Sequence, residues 1–221
     1  MNNHELNGRR RPIPAFTLPW ALFLLSLVPV MSNDTNQGVL KGKVQIASTA
    51  KDYNTVVYLK GVGGDAQLSQ SALPSQPSIE LDQENKEFVP HLLPIQKGQA
   101  VLFSNSDLFS HNVHAYWGRR SMFNVVQGIK GKHDWTPPRS GNYLILCDIH
   151  RNMSAFVFVF DHPFFASVPS HGKNASHFQI EGIPDGTYTL VAVRDIKKKL
   201  VRREQEITIK AGQTTDVSIQ F

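Results

Sequence analysis

The sequence predicts an all-β protein built from two small β-sandwiches, and three observations predict it. Apolar and polar residues alternate in short runs such as G-V-L-K-G-K-V-Q-I and H-F-Q-I-E-G-I, with the period of two expected of half-buried strands. Turn formers separate such runs: K-G at Lys97, I-P-D-G at Ile183 and K-A-G-Q at Lys210. The length, 221 residues, suits two cores of about 100 residues each.

Residues 1–32 read as neither sandwich. Arg9, Arg10 and Arg11 precede an apolar run from Ala15 to Val30, and Val30 and Ser32 stand where small residues flank a cleavage point. The segment is expected to be a cleaved signal peptide, so that the mature chain is periplasmic or secreted. Pro19 and Pro29 interrupt the run, which falls short of the roughly 20 residues of a spanning helix. An N-terminal segment that stays uncleaved as an anchor is the alternative; otherwise the mature chain carries no firm membrane span. Removing residues 1–32 leaves 20 Lys and Arg against 17 Asp and Glu, a mildly basic protein.

Strand-like runs at residues 38–61 come next, and residues 62–79, rich in Gly, Ser, Gln and Pro, read as a linker. From 80 to 163 the chain alternates again. F-V-P-H-L-L-P-I-Q-K-G-Q-A-V-L-F-S-N reads as strand, turn and strand; G-N-Y-L-I-L-C and S-A-F-V-F-V-F-D read as two more strands around a short loop.

That loop, C-D-I-H-R-N-M, holds the chain's single cysteine, Cys147, with His150 and Met153 at intervals of three. A lone thiol in an exported protein calls for an explanation. One reading is a buried, inert side chain; the other is metal ligation. Thiolate, imidazole and thioether together suit copper in both oxidation states, and two histidines, a cysteine and a weak axial methionine form the blue-copper arrangement. Zinc would need a fourth firm ligand and seldom takes methionine. Copper requires a second histidine from elsewhere, and His111, after an apolar run and a polar turn in V-L-F-S-N-S-D-L-F-S-H-N-V-H, is the best of the nine.

The motifs N-S-D-L-F-S-H-N-V-H and G-N-Y-L-I-L-C-D-I-H-R-N-M resemble those of the cupredoxins, the small blue-copper proteins, and are most similar to the amicyanin branch. The resemblance implies a Greek-key sandwich with one type 1 copper cycling between Cu(I) and Cu(II), held by His111, Cys147, His150 and Met153. It also implies that Asn112 ties the ligand loops together. The implied role is single-electron transfer between redox protein partners, with the edge of His150 as the port and Phe109 and Phe156 near the contact surface. An enzyme is not expected, because the copper enzymes of that superfamily need a second copper site. Ile149 and Arg151 flank His150 where proline is common in the family, and Arg151 favours a partner with an acidic docking face.

Residues 166–221 form the second sandwich. F-Q-I-E-G-I-P-D-G-T-Y-T-L resembles the carboxypeptidase-regulatory or transthyretin-like module, whose opening strands are missing just upstream but have counterparts at residues 38–61. A discontinuous module with the copper region inserted is therefore expected. Lys197, Lys198 and Lys199 with Arg202 and Arg203 make a basic hairpin tip, read as a solvated face or as a docking patch for an acidic partner or anionic lipid. Nucleic acid is not expected, since no aromatic-basic binding pattern accompanies the charge.

The other histidines receive structural readings. His91 is expected to pack at a strand edge, and His114 to share the face of His111 if the strand is regular. His133, His162, His171 and His177 are expected to face solvent, and Met122 to pack rather than to ligate. The alternative functions are a copper carrier or sensor without redox turnover, and an adhesion module without copper.

Overall fold

A computed structural model describes residues 37–46, 53–62, 77–170 and 174–221. Residues 1–32, most of the linker and His171 lie outside the described residues. The described chain is all β, with sixteen strands in four sheets.

The central sandwich uses residues 79–160. One of its sheets orders β4 (Glu87–Val89), β3 (Ile79–Glu84), β6 (Val101–Asn105) and β9 (Lys132–Trp135). The other orders β5 (Leu92–Gln96), β11 (Ser154–Phe160), β10 (Gly141–Leu146), β7 (His111–Trp117) and β8 (Arg120–Gln127). Although β5 and β6 are joined by the tight turn at Lys97 and Gly98, where Gly98 takes φ +92°, they lie in different sheets and the turn carries the chain across the core. Between the sheets lie Leu81, Phe103, Val113, Tyr143, Ile145 and Val157, all without solvent exposure.

A terminal sandwich takes strands from both ends of the chain. Its outer sheet orders β13 (Ser176–Pro184), β1 (Gln37–Gln45) and β16 (Thr214–Gln220). Its inner sheet orders β12 (Phe165–Val168), β2 (Thr55–Lys60), β14 (Gly186–Asp195) and β15 (Leu200–Ile209). Val56 to Leu59 therefore pair with Val193 to Leu190 of β14 on one side and, through Val56 to Tyr58, with β12 on the other. Leu40, Val44, Leu59, Ile180, Leu190 and Ile209 fill its core. Gly42 is required there, because a Cβ at that position would lie 2.3 Å from the Phe178 ring.

The two sandwiches share a third apolar layer. Val56, Val191 and Val193 of the inner sheet meet Leu92 and Phe158 of the central sandwich. Strands covered on both faces lose strict alternation, which is why L-V-A-V in β14 and F-V-F-V-F in β11 are continuous apolar runs. Polar contacts edge this layer. Asn54 donates to the Leu92 carbonyl at 2.6 Å and accepts from the Leu92 amide at 3.1 Å. His91 Nε2 meets Asp195 Oδ2 at 2.9 Å, and its ring stacks on Tyr53 at 3.7 Å.

This layer revises several expectations. Phe156 faces it and not the contact surface, being on the outer side of β11. His162 stacks between Phe160 and Phe164 at 5.7 and 5.8 Å, so it is partly buried at the junction of the sandwiches. His133 is also no loop residue: it lies on β9 with its ring against Phe103 and Phe123. His177 is exposed on β13 and His91 is buried and packed.

Candidate metal centre

Strand periodicity brings the site together. On β7, His111, Val113 and Ala115 point into the central core, and on β10, Tyr143 and Ile145 do the same, with Cys147 next in that series. The two strands are antiparallel neighbours, paired from Tyr143 and Trp117 to Leu146 and His114. Running that register on by one residue sets Cys147 opposite Val113, diagonal to His111 on the same inward face. The chain then turns: the Met153 amide donates to the His150 carbonyl at 2.9 Å and the Cys147 amide to the Met153 carbonyl at 3.3 Å. His150 is thereby folded back over the cysteine.

His111, Cys147 and His150 converge through one atom each. His111 Nδ1 lies 3.0 Å from His150 Nδ1, and Cys147 Sγ lies 3.8 Å from both nitrogens. A metal bonded at about 2.0 Å to nitrogen and 2.3 Å to sulfur would see angles of about 97° between the nitrogens and 124° from each to sulfur. These sum to nearly a plane, so the three residues fit a trigonal ion. Met153 is buried in the same cluster as Cys147, at 1% exposure. The His150 amide donates to Cys147 Sγ at 3.4 Å, which fixes the sulfur against the turn.

The outer nitrogen of His111 is held by Asp107, whose Oδ2 lies 2.8 Å from Nε2. Asp107 also accepts the amides of Asn85 at 2.8 Å and Lys86 at 3.0 Å, from the turn between β3 and β4. Burial alone would raise this carboxyl, but the Lys86 amide, the His111 ring and the Asn85 amide outweigh it and hold it below the usual range. With Nε2 so engaged, Nδ1 is left as the ligating atom. Asn105 frames the same loop: its Oδ1 accepts the Asp107 amide at 3.1 Å and its Nδ2 donates to the Phe109 and Gly128 carbonyls, both at 2.9 Å.

Asn112 faces away from the core and ties the loops together. Its Oδ1 accepts the amides of Asp148 at 2.6 Å and Ile149 at 3.2 Å, and its Nδ2 donates to Asn124 Oδ1 at 2.8 Å. His114 joins Asn112 on that outer face, since it stands three positions after His111 on a strand that is regular there; it does not share the face of His111. Asp148 Oδ2 lies 2.9 Å from His114 Nδ1, and that hydrogen bond is the main reason the carboxyl sits below its ordinary range.

Around His150 the surface is apolar and basic. Phe109, 38% exposed, packs edge to face with its ring centroid 5.0 Å from that of His111 and 5.6 Å from that of His150, and the Lys86 ammonium lies 5.2 Å over it. Leu108 and Ile149 are exposed nearby in the ligand-bearing loops. From the other side, Lys198 Nζ reaches Asn152 Oδ1 at 3.3 Å. Sequence reasoning named neither Asp107 nor this lysine contact. An Asx-turn signal, N-x-D four residues before a histidine, could have found the first; no local pattern encodes the second.

No family model and no curated protein matches the sequence. Solved structures do. The chain is similar to a reduced Cu(I) form of an amicyanin variant, with 19% identity over 47% of this chain and 98% of that one at a TM-score of 0.36. An oxidised amicyanin variant gives 18% identity, the same coverages and the same TM-score. A purple cupredoxin from Nitrosopumilus maritimus gives 18% identity over 38% of this chain and 100% of its own, at a TM-score of 0.35.

Proposed function

We propose that the protein is a type 1 copper protein that passes single electrons between redox proteins outside the cytoplasm. The carrying observation is the triangle of His111 Nδ1, Cys147 Sγ and His150 Nδ1 with sides of 3.0, 3.8 and 3.8 Å, at the buried end of two paired strands. Copper at this position would supply the Cu(I)/Cu(II) couple, with Met153 as the weak fourth donor that tunes its potential.

The chain's own residues supply rigidity. His111 is fixed by Asp107, Cys147 by strand β10, and His150 by a turn closed through Met153, while Asn112 pins the two amides after the cysteine. Nothing in this set must move when the charge at its centre changes, so little energy goes into rearrangement. Phe109 and the edge of His150 give the site a short apolar path to the surface. The terminal sandwich is read as the carboxypeptidase-regulatory-like module, supported by β1 and β2 joining the C-terminal strands.

Addition of Cu(II) to the purified protein tests the reading by visible absorption and electron paramagnetic resonance. The expected result is an intense blue band that bleaches with ascorbate, returns on reoxidation and is absent in Cys147→Ser. Pale binding that survives the substitution would overturn it. Tight copper binding with a thiolate band but no reversible cycling would favour the carrier or sensor alternative.

A further inference from the structure

The hairpin between β14 and β15 ends in Lys197 and Lys198, closed by Ile196 and Lys199, which exchange amide-to-carbonyl bonds of 2.9 and 3.2 Å. Both central lysines take positive φ, 55° and 62°. A two-residue turn of that kind is the place for Asn-Gly, and lysine is strained there. Strain kept at one point of a regular hairpin points to a use for the residues concerned.

That use is suggested by where the tip ends. Lys198 touches Asn152 of the ligand loop, so the tip of the terminal sandwich stands beside the site of the central one. Lys197, Lys198 and Lys199 are exposed, as is Arg151 next to His150, and Asn152, which Lys198 reaches, stands two positions from His150 along the loop. Asp107 and Asp148 offset these charges only in part, two carboxylates against Lys86, Arg151 and the three lysines of the tip; the first is held by the Asn85 and Lys86 amides and His111, the second by His114 and Asn124. Arg203 takes no part, being turned over Phe221 and the Gln220 carbonyl.

We infer that the lysine tip is a docking arm for the neighbouring metal centre, and that the partner it fits is an acidic electron-transfer protein. The inference rests on the copper reading above. A positive face around the port raises the encounter rate of an acidic partner and orients it with the His150 edge inward. Because β14 is covered on both faces, the arm is held in place before the partner arrives and little ordering is left for binding.

Two variants test it. Lys197→Glu/Lys198→Glu reverses the charge, whereas Lys197→Asn/Lys198→Gly removes it and supplies the residues the turn prefers. The second is expected to melt higher than the parent, so that any loss of docking cannot come from misfolding. With copper-free, isotope-labelled protein and cytochrome b5 as the acidic probe, amide shifts are expected at Arg151, Asn152 and Lys197–Lys199. Apparent affinity should fall about tenfold in the charge-reversed form, less in the neutral one, and generally with salt. With Cu(I) protein, oxidation by the ferricyanide trianion should slow by about the same factor on charge reversal, and oxidation by the tris(phenanthroline)cobalt(III) trication should quicken.

Shifts that map elsewhere, or rates and affinities indifferent to both variants, would overturn the inference while leaving the copper reading intact. Loss confined to phosphatidylglycerol vesicles, with cytochrome b5 unaffected, would overturn it in favour of a lipid surface. A protein that never turns blue would overturn the copper reading, and the electron-transfer role of the arm with it.

Discussion

Asn112 shows how much of the site depends on one side chain that touches no metal. It accepts two consecutive loop amides, so Asn112→Ala leaves both without their partner, at a cost of about 1–3 kcal/mol. The expected outcome is a lower melting temperature and faster copper loss to a chelator, with the blue band still present. Asp107→Ala removes the anchor of His111 and should weaken copper binding about 10- to 100-fold by competition titration, with a smaller effect on folding. The convergence of His111, Cys147 and His150 could be read from the sequence because thiol and imidazole are rare and two of the three stand in one short loop. Asp107 could not, because its role depends on a turn from another hairpin, Asn85 and Lys86, that closes around it only in space. His114, three positions after His111, falls on the opposite face because β7 alternates regularly there.

The strands that the sequence shows best are those with one covered face, such as β1 and β13, or two, such as β14 and β11. Strands β8 and β9 carry polar residues on both sides and leave no alternation to read, while F-V of β4 reads as one run with β5 although the two lie in different sheets; β8, from Arg120 to Gln127, is an edge strand with half of its residues exposed. Pro94 lies within β5 without breaking it, since β5 is the other edge of that sheet and needs no donor on its outer side. The link from β11 to β12 carries His162, which burial holds below its ordinary pKa, against the opposing pull of the Leu59 backbone and Asp161. A lowered imidazole pKa means that the native state binds fewer protons than the unfolded chain. Its contribution is complete above the unfolded value of about 6.5 and is lost as pH falls toward the folded value. Thermal melts between pH 8 and 5 should therefore show a declining limb that His162→Gln flattens.

At the scale of the molecule, the apolar layer between the sandwiches makes them one cooperative body. Phe158 is 1% exposed and lies in that layer, so Phe158→Ala should cost about 3–5 kcal/mol. Calorimetry of the parent is expected to show a single transition, and the variant to separate the melting of the two sandwiches. The pairing of halves so far apart in sequence was legible only as an incomplete motif, an opening without its close and a close without its opening. What the sequence could not show is the face on which the two sandwiches meet, because the valines of β2 and β14 read equally well as interior to either.

The clasp between β1 and β16 also sets an order of assembly. β1 is the first strand in the described chain and β16 the last, and they lie parallel, with Val44 beside Ile219. The central sandwich closes on itself from residues 79–160 and can form as soon as those residues are free to collapse. The terminal sandwich must wait until the C-terminus is present and then search for a partner almost a whole chain away, the slow kind of contact. In a refolding experiment the ligand loop should become protected from hydrogen exchange well before β1 does.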